Sequence, residues 1–296
     1  MTTAPKPQGD RLYFGSVKII ESLEPHERPT GWNLFNELQP IGLMSKPRVT
    51  CEYTALQTAA ELRARLAEIR DEVKATGRTP ILQLETHGSP DGVALGSGDF
   101  VPWPVLRPWL TEINAATRLN LFVLLSACHG RDLVQVVQPA ERAAVLALIG
   151  PKRVMYPEEL EKASIAFYRT LFEKMDAPTA WKVMNATIDP DPMNTTFAVF
   201  TAKHNFRWVM HEFLKIREME EELAAAEARI EAMAAAQGTP LSLIEERRPA
   251  LRAYLRNIEE HYETTKIKYF FIDQYPENAA RFPVTLDDCR RGPSGD

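Results

Sequence analysis

The apolar and polar positions of this chain follow two rhythms. Up to about residue 203, short apolar runs of strand length alternate with stretches in which apolar residues recur every three or four positions. Predicted strands cover residues 12–22, 48–54, 81–88, 121–128, 145–154 and 197–201, and predicted helices cover residues 32–38, 59–75, 105–116, 157–175 and 178–187. This alternation predicts an α/β fold, with a mainly parallel sheet and helices on both of its faces.

From residue 204 onward the rhythm is helical throughout. Apolar residues repeat at heptad-like spacing, with Ile216, Met219, Leu223, Ala226, Ile230 and Met233 before a break at residues 237–240 and Ile244, Leu251, Leu255, Ile258 and Tyr262 after it. Gly238 ends the first helix, and Thr239 and Pro240 start the second. We therefore predict a C-terminal helical hairpin, which either covers a face of the α/β domain or docks a regulatory protein partner.

These rhythms divide the chain into four parts. We predict a flexible N-terminus over residues 1–10, an α/β domain over 11–203, the hairpin with a C-terminal segment over 204–289, and a disordered tail over 290–296. The aromatic run at residues 269–275 is either a late edge strand or, more in keeping with such runs, a packing segment.

Two of the predicted strands end on residues that carry chemistry. One ends at His87 and Gly88, and the other ends at Cys128, which is followed at position 130 by glycine. The carboxyl ends of parallel strands meet at one edge of a sheet, where ligands bind. A nearby imidazole and the N-terminus of a helix predicted over residues 131–138 would lower the pKa of the Cys128 thiol. The pair therefore predicts a Cys/His dyad, with backbone N–H groups of Gly88 and Cys128 as oxyanion donors.

Other interpretations of these residues stay open. A single cysteine at the end of an apolar strand is often a core residue, and a single His-Gly is a weak signal. Glu85 lies two positions before His87, on the same face of the strand, and Asp91 follows in the next loop. Either carboxylate could orient the imidazole or give negative charge to a substrate pocket, or could simply be solvated.

The two motifs resemble those of the caspase-like cysteine peptidases (clan CD type), and the bacterial CHAT-domain family is the nearest branch. That family has its histidine in a strand-end His-Gly, as at His87 and Gly88, and its cysteine in a strand-end Ala-Cys, as at Ala127 and Cys128. The resemblance implies a caspase-like three-layer fold and a cysteine endopeptidase that cleaves protein or peptide substrates. It also implies a setting in prokaryotic antiviral defence or cell death.

The resemblance leaves substrate specificity open, because animal caspases have glutamine at the position of Ser126 and metacaspases an acidic residue at that of Ala127. The alternative function is a catalytically silent caspase-like scaffold that acts as a protein-interaction module through its helical hairpin.

Composition narrows the classes of partner. The formal net charge is −5, without a dense run of lysine and arginine, so neither nucleic acid nor an anionic membrane is an expected partner. Three scattered cysteines argue against a disulfide framework and for a reducing compartment. No motif with zinc-ligand spacing occurs, so we expect neither a metal nor a cofactor. Without a signal-peptide pattern or an apolar stretch of membrane-spanning length, the expected location is the cytoplasm.

Overall fold

The computed structural model describes residues 13–127, 141–191, 193–218 and 220–292. Within these ranges the chain forms two compact units. The first consists of residues 13–127 and 142–202, and the second is built mainly from residues 203–292.

The first unit alternates strands and helices, as the apolar pattern predicts. Its strands are β1 (Ser16–Ser22), β2 (Thr50–Ala55), β3 (Pro80–Ser89), β4 (Gly92–Ala94), β5 (Phe100–Pro102), β6 (Phe122–Ser126), β7 (Ala147–Pro151) and β8 (Phe197–Thr201). Its helices are α1 (Thr30–Met44), α2 (Ala59–Thr76), α3 (Trp103–Ala116), α4 (Pro157–Lys174) and α5 (Ala177–Ile188). The prediction of α1 was too short, because Pro40, a residue that usually ends a helix, lies inside it.

The sheet is mainly parallel. Its strand order is β2-β1-β3-β6-β7-β8, in which β8 alone is antiparallel to its neighbour, while β4 and β5 form a small antiparallel extension beyond β3. The register places Glu85 of β3 opposite both Glu21 of β1 and Ser126 of β6. The predicted α/β class is confirmed, and three polar residues lie in one row at the carboxyl ends of its central strands.

Helices cover both faces of this sheet. On one face, α2 and α3 bury a cluster that includes Ile20, Leu82 and Leu84. On the other face, α1, α4 and α5 pack together, and α4 stacks Phe167 against Phe122 of β6. The first unit is thus a three-layer α/β structure.

Helix α2 shows how local sequence sets these elements. Thr58 and Glu61 form a capping box at its start, and Gly77, at φ 66°, ends it in the left-handed conformation that glycine adopts without strain. Its buried stripe, Leu62, Leu66, Ile69 and Val73, repeats every three or four residues and faces the sheet.

The second unit is helical. Its helices are α6 (Ala202–Glu218), α7 (Glu220–Ala236), α8 (Leu241–Arg256), α9 (Ile258–Tyr269), α10 (Asn278–Arg281) and α11 (Leu286–Arg290). Phe270 lies at its centre, with ring centroids 4.9 Å from Phe206 and 4.8 Å from Phe282. The aromatic run at 269–275 therefore begins at the end of α9 and packs inside the second unit. This confirms the predicted packing segment, and the alternative, an edge strand, is wrong. The predicted tail begins too early, because α11 reaches Arg290; residues 293–296 lie outside the described residues, as do residues 1–12.

Helices α7 and α8 form a hairpin about the predicted turn, but the predicted second helix is divided at Asn257 between α8 and α9. Gly238, at φ 83°, makes the turn, and the Glu231 carboxylate binds the Arg248 guanidinium across the pair at 2.6 and 2.9 Å. The predicted apolar seam is wrong in part: Ile230 is 41% and Met233 63% exposed. The Glu231–Arg248 ion pair joins the two helices, while Ile244 is buried. The side chains of Ile216, Met219, Leu223 and Leu255 lie outside the described residues.

None of the helices within the described ranges combines the length and apolarity needed to cross a membrane.

Candidate active site

His87 lies where the main sheet ends. Strand β3 pairs with β6 up to Glu85, and from His87 onward it pairs with β4, opposite Ala94. The imidazole side chain is 51% exposed. The structure thus brings the predicted base to the carboxyl edge of the sheet and leaves it accessible to a substrate, as ligand sites in α/β sheets require.

A carboxylate that the sequence analysis did not single out holds this imidazole. Nε2 of His87 lies 2.8 Å from Oε1 and 2.9 Å from Oε2 of Glu27. The loop of Glu27 fixes it in turn, since the backbone N–H of Glu24 donates to Oε2 of Glu27 at 2.8 Å. Burial acts to raise the pKa of the Glu27 carboxyl, but the hydrogen bond and charge of His87 and the Glu24 N–H lower it overall.

This contact settles which imidazole nitrogen is free for chemistry. Because Nε2 of His87 faces two carboxylate oxygens of Glu27, Nε2 carries the proton, and Nδ1 is the acceptor of the neutral ring. The neutral ring therefore keeps Nδ1 as its hydrogen-bond acceptor.

Glu85, predicted to orient His87 or to line a substrate pocket, does neither. It is only 3% exposed, and its carboxylate accepts hydrogen bonds from the hydroxyl of Thr30 at 2.7 Å and from Nε2 of Gln83 at 2.6 Å. The orienting contact comes from Glu27 instead, because β3 directs the Glu85 side chain into the layer beneath α1.

A network of hydrogen bonds surrounds Glu85. Gln83 also donates from Nε2 to Oγ of Ser126 at 2.8 Å, and its Oε1 accepts from the hydroxyl of Tyr168 at 2.8 Å. Burial raises the pKa of the Glu85 carboxyl to about 7, against the lowering effect of its hydrogen bonds, and the charge of Glu21 adds to the rise. Glu85 is therefore the carboxyl in this network that titrates near neutral pH.

Glu21 is the second buried carboxyl of this row. Its Oε2 accepts from the backbone N–H of Trp32 at 2.9 Å and from the hydroxyl of Tyr53 at 3.0 Å. Burial raises its pKa, although these hydrogen bonds oppose the effect. Gly31 lies between the two carboxyl side chains: a Cβ there would be 2.9 Å from Oε2 of Glu21 and 3.1 Å from Cγ of Glu85.

The hairpin beyond His87 carries the other two predicted residues. Ser89 and Gly92 close it, and Asp91 is exposed at its tip. Gly88 faces Val93 in the next pair. Since narrow and wide pairs alternate in an antiparallel ladder, and the closing pair of a two-residue hairpin is hydrogen-bonded, the N–H of Gly88 points away from β4. It is in position to donate outside the hairpin.

Cys128, the predicted nucleophile and second oxyanion donor, lies outside the described residues, as does the helix predicted over residues 131–138. The described part of β6 ends at Ser126, opposite Glu85, and Ala127 follows it, fully buried. The chain therefore reaches the residue before Cys128 at the same sheet edge as His87 and on the adjacent strand.

The two described cysteines are poor nucleophiles. Burial raises the pKa of the Cys51 thiol to about 12 and that of Cys289 to about 11. Neither therefore supplies thiolate near neutral pH. No group of three or more His, Cys, Asp or Glu side chains within the described ranges is arranged to hold a metal ion.

Comparison with protein-family models finds no matching family, and comparison with curated proteins finds no match either.

Glu27 was not predicted as a site residue, although its position in the sequence gave a signal. Glu27 belongs to a charged stretch, residues 24–28, that directly follows β1, the strand next to β3. Polar loops after neighbouring parallel strands share one edge of the sheet.

Proposed function

We propose that this chain is a cysteine endopeptidase of the caspase-like, CHAT type, with Cys128 as nucleophile and His87 as general base and acid. The observation that carries the proposal is the His87 imidazole at the carboxyl edge, bound to Glu27 through Nε2, beside the strand that leads into Cys128. The three-layer fold with its mainly parallel sheet agrees with that family's architecture.

In this mechanism, Nδ1 of His87 takes the thiol proton of Cys128, and the thiolate attacks the carbonyl carbon of the scissile peptide bond. Backbone N–H groups of Gly88 and Cys128 donate to the oxyanion, and one such donor is typically worth about 3–4 kcal/mol. Protonated Nδ1 then gives its proton to the leaving amine as the C–N bond breaks. Water, deprotonated by His87, hydrolyses the thioester and restores the thiol.

The expected partners and setting follow from the same proposal. The substrate is a protein or peptide, and the place of action is the cytoplasm of a prokaryote, in a defence or cell-death system. Cleavage there requires a reduced thiol, which agrees with scattered cysteines, of which the two described ones are unpaired.

A thiol-reactive peptide probe and a peptide-substrate library test the chemistry. We expect Cys128→Ala and His87→Ala each to abolish both labelling and hydrolysis, because the two residues act as one unit. Cys51→Ala is the matched control and should keep activity near wild type, since its thiol is not ionised. Undiminished hydrolysis by the Cys128→Ala protein would refute the mechanism.

The second candidate function, an interaction module without catalysis, rests on helix α7. Ile230 and Met233 are exposed there, although the heptad pattern placed them in the hairpin seam. The two side chains are three positions apart, the spacing at which a helix presents anchors to a partner.

Paired substitutions separate this function from packing. The double variant Ile230→Lys/Met233→Lys should keep the fold and lose partners captured from lysate of the source cells. Gln237→Lys adds charge at an exposed polar site of the same hairpin and should retain them. Identical partners with both variants would exclude these two side chains as the docking surface.

A further inference from the structure

Two carboxyl side chains lie buried side by side beneath the proposed active site. Glu21 on β1 and Glu85 on β3 are register partners and are 5% and 3% exposed. Burying carboxylates is costly, because the charged form loses its hydration. Perturbed carboxyls at the functional edge of a sheet are therefore candidates for a role in the site, provided that their contacts lead to it.

Their contacts lead first to helix α1. Thr30 and Trp32, in its first turn, donate to Glu85 and Glu21 respectively, and a Cβ on Gly31 between them would be in tight contact with both carboxyl side chains. Negative charge at a helix N-terminus is favourable, because the first backbone N–H groups lack partners within the helix. The two carboxylates thus fix the position of the first turn of α1.

The first turn of α1 in turn anchors the loop that orients His87. Thr30 is three residues beyond Glu27, and its N–H donates to the carbonyl of Arg28 at 2.8 Å. Arg28 binds Glu161 of α4 through two hydrogen bonds, at 2.8 and 3.0 Å. The loop between β1 and α1 is therefore anchored at its α1 end, and the Glu85–Thr30 hydrogen bond is part of that anchor.

The donors and acceptors around Glu85 determine which of its oxygens can carry a proton. Tyr168 donates to Oε1 of Gln83, so the amide nitrogen of Gln83 faces Oε1 of Glu85 as a donor and fixes that oxygen as an acceptor. A proton on Glu85 must then sit on Oε2, which faces the hydroxyl of Thr30. Thr30 must turn from donor to acceptor, and the charge that attracts the first turn of α1 is lost.

The groups around Glu85 favour its protonated form. Glu21 from β1 is the charged group that acts on it, and it opposes ionisation. Tyr168 from α4 stays neutral, because burial raises its pKa well above the ordinary value, and Tyr53 and Cys51 of β2 have raised pKa values as well. Thr30 of α1, Gln83 of β3 and Ser126 of β6 do not titrate.

We propose that Glu85 is a positioning residue of this peptidase, which holds Glu27 against His87 through Thr30 when it is ionised and relaxes that hold when it takes up a proton. The inference rests on the proposed function, because it gives the His87–Glu27 pair a catalytic task. It also makes Glu85 a proton sensor that lies outside the reacting groups.

The test combines a readout that needs no catalysis with one that does. Imidazole ¹⁵N shifts of His87, followed from pH 5 to 9, report the Nε2–H form. We expect a second transition near neutral pH in the wild type, absent in Glu85→Gln and kept in the matched control Glu37→Gln on the exposed side of α1. In hydrolysis, Glu85→Gln should lose about tenfold to a hundredfold in kcat above neutral pH, with little change in KM.

Thr30 provides the conservative pair. Thr30→Ser keeps the hydroxyl and should behave as the wild type, whereas Thr30→Val should reproduce the effect of Glu85→Gln on the His87 spectrum; this pair decides the question if Glu85→Gln fails to fold. Unchanged His87 spectra and pH profile in Glu85→Gln and Thr30→Val would overturn the positioning role while leaving the peptidase intact. If the wild type hydrolyses no peptide, the proposed function fails, and the His87 spectra alone decide whether Glu85 controls the imidazole.

Discussion

Glu85→Gln should make the protein more stable at alkaline pH, which is unusual for the loss of a hydrogen-bonded carboxylate. Burial is the main reason that the pKa of Glu85 rises from an ordinary value of 4.5 to about 7. Between these values the folded protein holds a proton that the unfolded chain has released, so the free energy of unfolding falls as pH rises from 4.5 to 7. The difference of about 2.5 (7 − 4.5), at about 1.36 kcal/mol each, corresponds to about 3 kcal/mol.

The glutamine fits the site as a copy of the protonated acid. Its Oε1 can accept from Gln83, and its Nε2 can donate to the hydroxyl of Thr30, so that neither end is left without a partner. We therefore expect the variant to match the wild type near pH 4.5 and to exceed its free energy of unfolding by up to about 3 kcal/mol at pH 8.

Urea unfolding followed by circular dichroism at half-unit steps from pH 4.5 to 8 measures this difference. Glu37→Gln serves as control, because it removes a charge from an exposed site on the same helix as Thr30. A difference between variant and wild type that stays constant over this range would refute the reasoning. So would a wild type that gains stability over the variant as pH rises.

The remaining predictions concern the same edge of the sheet. Glu27→Gln should lower kcat about tenfold to a hundredfold with little change in KM, because the imidazolium of His87 loses its carboxylate; steady-state hydrolysis measures this, and an unchanged kcat would contradict it. Gly31→Ala should cost about 1–3 kcal/mol in urea unfolding, since its Cβ would press on Oε2 of Glu21, and an unaffected midpoint would show that α1 can shift freely. Asp91→Asn should reduce a preference for Arg or Lys before the scissile bond several-fold in kcat/KM, and a substrate profile dominated by aspartate or apolar residues would count against it.

The position of His87 could be predicted from sequence, because it depends on local periodicity. An apolar run of strand length, ending on a polar residue and glycine in an alternating α/β pattern, fixes both the strand and the edge on which it ends. The partner of His87 could not be predicted in this way. Glu27 is 60 residues away in the sequence, and it lies beside His87 because β1 and β3 are neighbours in the sheet. Strand order is a tertiary property that periodicity does not encode.

The hairpin shows a different limit. A heptad-like pattern indicates which side of a helix is apolar, but it does not say whether that side meets the partner helix or solvent. In α7, the Glu231–Arg248 ion pair joins the two helices, while Ile230 and Met233 are exposed. The pattern predicted the turn correctly, but it carried the second helix past Asn257, where α8 ends and α9 begins, and it misplaced the contact between the helices.

Glu85 shows most clearly why the spacing of two residues along a strand does not establish that they act together. Two positions before His87, it shares the same face of the strand, and this spacing suggested a direct role on the imidazole. The helix α1 covers that face at Glu85 and not at His87, so one side chain is sealed in and the other is exposed. A carboxyl sealed at this depth can act on the site only through the backbone that it holds. A glutamine at this position, which keeps the hydrogen bonds, would raise stability above neutral pH, so the charge is better explained by control of the Glu27 loop than by stability.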